Sequence, residues 1–530
     1  MEPGIRLEKR LFSELLMKAE QTHGTDEIAL LSDEESLSYR ELRERVDGIA
    51  AALVRDYGIR PSDRVSIIGT NSVSWIVFFF AVVRAGGIAV LENPGLRGAE
   101  ITAHYENLEA RLILLGQIRE RLREELNSTF SGKLCPMEAI APASVDSDTL
   151  KLLDDIERAR GENAEAVNMF TSGSTAKAKA VKLTQEGLLW NAERLTRRVD
   201  APEQAYNAIF LPFFHIGGLT MLWRYLIKGG TTVLPRGITT DEMVRVIGQY
   251  AVHELFNIPM MFTELTKHPG FGEAVRPHIR LLVSAGADLG TETMMRLETL
   301  YDAQVLNGYG ITENGGGNAA PALTTSAEKR YASLGKALDD IDICISPVRN
   351  TVLDPVERLP AMEQGEILIK SRSMMKGYVG MSARESGINA EGYFHTGDIG
   401  YLDEEGCLYI VGRKKNIIIK AGENILPGEI EAPLKQMPGV KDAVVVGVPD
   451  EKYGEEIAAC LILEEGASIT LDAVASALEK RLTRLKHPGF LFYYESFPLL
   501  AGGKLDLQTL KEDAIKQAEQ ERRRGEQRSI

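Results

Sequence analysis

Apolar and polar positions follow two periods along most of this chain. Short runs such as "RVSIIG" (64–69) lead into longer apolar stretches such as "VSWIVFFFAVVRAG" (73–86), and a second short run, "GIAVLENP" (87–94), follows. That rhythm predicts strand, helix, strand, and hence an α/β fold with largely parallel sheets. Upstream, "LSYRELRERVDGIAAALVRDYG" (37–58) has a helical period, with Ser38 and Glu41 as a capping box and Gly58 at its end. The same rhythm returns in "ELFNIPMMFTELTKHP" (254–269) and in 279–310.

Between about 330 and 412 the pattern changes to short strands and turns, and "DEEG" (403–406) between two apolar runs predicts a hairpin. After Lys415 a compact βα pattern resumes with "VKDAVVVGVPD", "IAACLILEE" and a helix over 470–485. The charged tail from Lys516 onward is expected to fray. No fixed-period repeat is present.

Composition narrows the class. A chain of 530 residues exceeds one ordinary core, so two or more domains are expected. With 61 basic against 76 acidic residues, a net charge of −15, nucleic acid is excluded as the main partner. The four cysteines are scattered without a CxxC pair, which fits a reducing compartment. The longest apolar run, Trp75–Val83, is too short to span a bilayer, and the N-terminus has no apolar signal core. The chain therefore reads as cytoplasmic, with no transmembrane segment.

Four segments carry candidate chemistry. In "MFTSGSTAKAKAVKLT" (169–184), the hydroxyls of Thr171, Ser172, Ser174 and Thr175, the backbone of Gly173 and the charges of Lys177 and Lys179 suit a phosphate cradle. An ordinary polar hairpin fits the same residues, and the stretch is not a Walker loop. In "NGYGITENGGG" (307–317), Thr312 offers a hydroxyl for a phosphate and Glu313 a carboxylate for Mg²⁺, although a plain glycine turn has the same composition. Within 392–431, Asp398 suits two ribose hydroxyls or a cap, and Arg413 suits ribose, phosphate or a solvated basic patch. In "PLLAGGKLDL" (498–507), Lys504 follows Gly502-Gly503 and is, taken alone, an exposed turn lysine.

In this order and spacing the four segments resemble the acyl-adenylate-forming superfamily, which includes acyl-CoA and aryl-CoA synthetases, peptide-synthetase adenylation domains and beetle luciferases. The resemblance runs from about Ser38 to Lys504 and is most specific in "YGITE", "TGD" and "GRKKNIIIKAGENILPGEIE". It implies a large N-terminal domain (1–412) of mostly parallel sheets sandwiched by helices, with a small β-barrel-like part. A hinge (413–416) and a small mobile α+β C-terminal domain (417–530) follow. It implies ATP-dependent acid–CoA ligation: a carboxylate attacks the α-phosphate to give acyl-AMP and pyrophosphate, and the coenzyme A thiol then expels AMP. A carrier-protein thiol is the alternative acceptor. A degenerate adenylate-binding protein is a further alternative. ATP, Mg²⁺, coenzyme A and a small carboxylic acid are the expected ligands, and a homodimer is one allowed assembly.

The resemblance also assigns roles. Lys504 would bridge the carboxylate and α-phosphate, Thr312 would touch the AMP phosphate, and Glu313 would hold Mg²⁺. Asp398 would take the ribose with Arg413 beside it, and Lys415 would mark the hinge. Gly286, Ala287, Asn307, Gly308, Tyr309 and Gly310 would line the nucleotide. Gly422 and Glu423 would enter for the second step.

His215 in "LPFFHIGGL" would line the acyl pocket, with a core histidine as the alternative. A His there argues against an amino-acid substrate. Gly310 stands where acetate-using members carry Trp, so an open pocket and a medium-chain, long-chain or aromatic acid are expected. "FHIGGLTMLWR" is similar to o-succinylbenzoate–CoA ligases. In that reading Arg224 pairs with a second carboxylate; otherwise it is a surface arginine laid over apolar neighbours.

The phosphate loop departs from the family pattern at Ala176, Ala178 and Ala180, where Gly, Pro and Gly are usual. A left-handed Ala176 would cost on the order of 1–2 kcal/mol, and the missing Pro about 0.4–1 kcal/mol. The terminal motif lacks its usual basic residue at Leu507.

Overall fold

A computed structural model of the chain describes residue 5 and residues 7–527, except 106–107, 172–177, 200–204, 273–277, 350, 353, 422, 451–452, 480 and 501–504. Among the described residues, four sheets organise the molecule. The first has six strands, in the order Leu134–Pro136, Ala110–Leu115, Arg64–Ile68, Ile88–Glu92, Glu165–Thr171 and Lys179–Thr184. All neighbours are parallel except the last two strands, which form an antiparallel hairpin. The second sheet has nine strands with a parallel centre that includes Tyr206–Ala208, Val252–Asn257, Leu281–Ala285 and Gln304–Ile311.

The apolar run that reads as a helix is one. Val73–Arg84 starts at Ser72, whose side chain accepts from Trp75 N, and is buried on every face. It lies within the largest apolar cluster, where the rings of Phe12, Trp75, Phe79, Phe80, Phe213 and Trp223 meet. A helix apolar all round requires such a site. The capping box at Ser38 and Glu41 forms as expected and starts the helix Tyr39–Arg55.

A four-stranded antiparallel sheet follows (Asp342–Ser346, Gly365–Lys370, Phe394–Leu402, Leu408–Arg413), and its last hairpin turns at the DEEG residues. The turn Lys414–Asn416 then leads to the C-terminal sheet, centred on the long hairpin Val440–Asp450 and Gly454–Leu463. No helix among the described residues is long and apolar enough to cross a membrane.

Two expectations fail in this last unit. The helix expected over 470–485 covers only Leu471–Leu478, because Arg481 N and Leu482 N both turn back to Leu478 O. The tail does not fray at Lys516: one helix runs Leu507–Gln527. Leu510, Ala514 and Ala518 bury one stripe of it against the sheet. Arg522 ties the outer end to Pro449 O and Asp450. Charge on the outer face is compatible with a helix whose inner stripe is apolar.

Candidate active site

The parallel strands of both large sheets end on loops that carry the expected site residues, as the crevice rule for open α/β sheets anticipates. In the six-stranded sheet the hairpin pairs Thr171 with Lys179 and Phe170 with Ala180. Ser172, Gly173, Ser174 and Thr175 lie outside the described residues, as do Gly422 and Lys504. The segment 376–379 runs antiparallel beside the hairpin: Lys182 N donates to Gly377 O, and Val379 N donates to Ala180 O at 2.8 Å. That brings the Tyr378 ring under Lys179, with Nζ 5.0 Å from the ring centre. The same tyrosine hydroxyl donates to Glu313 Oε1 at 2.8 Å. Burial and the Glu313 carboxylate push the Tyr378 phenol well above its usual range, so it stays protonated and donating.

Glu313 sits on a single turn, Thr312–Asn314, between the strands Gln304–Ile311 and Gly316–Ala320. Asn191 locks that turn from a distant helix. Its Nδ2 donates to Gly317 O at 2.7 Å and Asn314 O at 3.2 Å, while its Oδ1 accepts from Gly317 N at 3.0 Å. Among the described residues Tyr378 is the one side-chain donor to the Glu313 carboxylate. A half-buried carboxylate whose second oxygen meets no side-chain donor among the described residues, with a neighbouring Thr312 hydroxyl, fits Mg²⁺, which takes few protein ligands and keeps water and phosphate oxygens.

A second carboxylate lies on the antiparallel sheet. Asp398 is buried and pairs in register with Arg413 on the neighbouring strand. Tyr309 OH donates to its Oδ2 at 2.6 Å, and Arg413 Nε lies 2.7 Å from its Oδ1. Burial raises the carboxyl pKa, opposed by Arg413 and by the tyrosine hydrogen bond. Each oxygen keeps a further lone pair. Tyr309 thus joins the "YGITE" strand to the "TGD" strand. Lys415, two residues past Arg413 and exposed on its turn, is drawn below the usual lysine range by partial desolvation and by Arg413.

The strand ends around Gly286, Ala287, Asn307 and Gly308 lie side by side, with Ala285 opposite Gly308. Gly286 has φ 87°, which a side chain rarely adopts. At Gly310 a Cβ would stand 2.6 Å from Gly316 O. The glycine there is required by the close β-hairpin backbone, so its presence does not by itself signal an open acyl pocket. Glu423 is exposed on the short strand Glu423–Ile425, opposite Lys420.

His215 is not a core histidine. It is exposed just before the helix Ile216–Lys228, with its ring 4.5 Å from that of Phe214. The segment leading to it is pinned by Asn71, whose Nδ2 donates to Leu211 O at 2.8 Å and whose Oδ1 accepts from Phe213 N at 2.9 Å. A cleft of about 950 Å³ opens beside Asn71, Pro212 and Phe214. Arg224 fits neither expected role. It is sealed in the sheet–helix interface in a two-pronged pair with Glu254, at 2.7 and 3.1 Å. Tyr378, Asn191 and Asn71 were not found from sequence, because each acts on residues 65 or more positions away.

Comparison with known proteins identifies the family. Residues 16–379 match the model of the AMP-binding enzyme family, and 429–504 match the AMP-binding enzyme C-terminal domain. A probable CoA ligase of Humulus lupulus is 28% identical over 95% of this chain and 96% of its own. A feruloyl-CoA synthase of Amycolatopsis is 29% identical over 89% of this chain and 92% of its own. The o-succinylbenzoate CoA synthetase of Bacillus subtilis, solved with ATP and magnesium ion, superposes with a TM-score of 0.78 at 25% identity, over 93% of this chain and 98% of that one.

Proposed function

Given that the chain belongs to the AMP-binding enzyme family, as an AMP-forming acyl-CoA ligase, we propose that it activates a medium-chain, long-chain or aromatic carboxylic acid as its adenylate and transfers the acyl group to coenzyme A. One observation carries the reading. Tyr378 joins a hairpin lysine, Lys179, to a turn carboxylate, Glu313, which supports reading the first as a phosphate-binding cation and the second as an oxygen ligand for Mg²⁺. Attack on a polyphosphate needs charge fixed in advance where negative charge builds up.

In this reading Lys179 and the hairpin hold the triphosphate, and Thr312 bonds the α-phosphate. Glu313 would hold Mg²⁺, which would supply charge neutralisation for the phosphates. Asp398 accepts from the ribose hydroxyls, with Tyr309 and Arg413 fixing its oxygens. Lys504 would span the acid carboxylate and the α-phosphate, aligning the nucleophile and offsetting the charge that builds up on the phosphate. The unit 417–530 turns about 413–416 between the steps, so that Lys504 withdraws and the 421–424 loop approaches for thiol attack. With Arg224 occupied by Glu254, a dicarboxylic acid has no partner at that place, which favours a monoacid.

Pyrophosphate release is the direct test, scanned over aliphatic and aromatic monoacids and over dicarboxylic acids, with and without coenzyme A. Release with a monoacid, and AMP release stimulated by coenzyme A, are expected. Release confined to dicarboxylic acids would overturn the substrate class. AMP release that needs a carrier-protein thiol instead would overturn the acceptor.

A further inference from the structure

The base of the phosphate hairpin is held from a second side by residues that lie in none of the four motifs. Glu92 ends the strand Ile88–Glu92, which pairs with the hairpin strand at Leu91 and Met169, so Glu92 stands beside Phe170. Its side chain is 1% exposed. Such burial raises a carboxyl pKa, and contact with His104 opposes the rise. His104 comes from the last turn of the helix Gly98–Tyr105, with Nδ1 at 3.0 and 3.1 Å from the two carboxylate oxygens. The ring then lies flat on Phe170, at 4.2 Å between centres and 20° between planes. Across the hairpin, Ala180 packs with Val90 and Leu108 in the same small apolar group.

We infer that Glu92 and His104 are positioning residues for ATP: the hydrogen bond fixes the imidazole plane, and the imidazole fixes Phe170 and with it the entry to the phosphate loop. A buried Glu–His pair is not needed for stability, since apolar residues of similar volume pack at least as well. What the pair adds is a defined ring orientation. The two clamps act on neighbouring register pairs, His104 on Phe170 of the 170–180 pair and Tyr378 under Lys179 of the 171–179 pair. A loop sequence with few glycines and no proline between these ends places more weight on how the ends are held.

The inference rests on reading 171–179 as the triphosphate hairpin, so Lys179→Ala is measured alongside. The experiment is calorimetric titration of the full chain with MgATP and, separately, with AMP, which lacks the β- and γ-phosphates. His104→Leu is expected to weaken MgATP about 5- to 10-fold while AMP stays within about twofold. The double variant Glu92→Leu with His104→Phe restores apolar packing and keeps the stack. It is expected to melt near the wild type and still show the weakened MgATP binding. Wild-type MgATP affinity in the double variant, or parallel loss of MgATP and AMP, would reduce the pair to a packing role and overturn the inference. If Lys179→Ala also leaves MgATP unchanged, the hairpin assignment itself falls. If Lys179→Ala weakens MgATP and the His104 variants do not, only the positioning role falls.

Discussion

Two arginine–carboxylate pairs, Arg224 with Glu254 and Arg413 with Asp398, look alike in distance and differ in everything else. Each has a closest contact of 2.7 Å. In the first pair the side chains are 1% and 0% exposed. In the second, Asp398 is 4% exposed but Arg413 is 52% exposed. The first is closed at both ends, with a helix arginine laid on a sheet glutamate. The second has one sealed end and one open end, in a place where a strand delivers Tyr309 and a turn delivers Lys415. Contact geometry therefore does not separate an internal brace from a pair proposed to bind a ligand. Access does, and so does the direction from which the donors come.

The comparison breaks most visibly at the closed pair. Glu254→Leu leaves an uncompensated guanidinium inside the protein and should remove about 3–5 kcal/mol, read as a lower urea midpoint for the main unfolding transition. Arg224→Met combined with Glu254→Leu should recover most of that loss. Equal losses in the single and double variants would show that packing, rather than the lone charge, is at stake. The open pair should answer through binding. Asp398→Asn keeps the shape and discards the charge that the proposed ribose contact requires. AMP affinity should then fall about tenfold or more. The unfolding midpoint should stay near the wild type, because a carboxyl whose pKa is raised by burial is already held unfavourably. Unchanged AMP affinity would remove Asp398 from the ribose role.

The same contrast explains what the sequence disclosed. The capping box at Ser38 and Glu41 and the DEEG turn are written within a few residues, so both were legible and both are present. The strand–helix rhythm was legible because each period reports which face is covered. Arg224 is not legible because its partner lies 30 residues away, on a strand rather than on its own helix, and nothing local marks Glu254 as buried. Gly310 was assigned to an open pocket, yet the neighbour that excludes a side chain is the backbone of Gly316 across the hairpin. The tail was misread because its net charge hid the stripe of Leu510, Ala514 and Ala518. Asn71, Asn191 and Tyr378 are ordinary residues until the fold places them against the segments they fix.

The smallest and sharpest test acts on the open end alone. Arg413 is half-exposed, so solvent screens most of its attraction, and Arg413→Leu should change stability by less than about 1 kcal/mol. Its effect should appear in titration instead. Burial already lifts Asp398 above its ordinary value near 3.9, and Arg413 is the strongest influence pulling it down. Because the folded pKa is raised, the stability linked to this group is fully present below the unfolded value. It is lost as pH rises through the folded value. Ribose binding needs the ionised form and so runs the other way: affinity is lost as pH falls through the folded value. Removing Arg413 should raise that value further. The acid limb of adenosine affinity should therefore move to higher pH in Arg413→Leu than in the wild type, and the difference between the two proteins cancels the ligand's own titration. A limb that stays in place would mean that the arginine does not govern the charge on Asp398, and the two pairs would then differ in exposure but not in function.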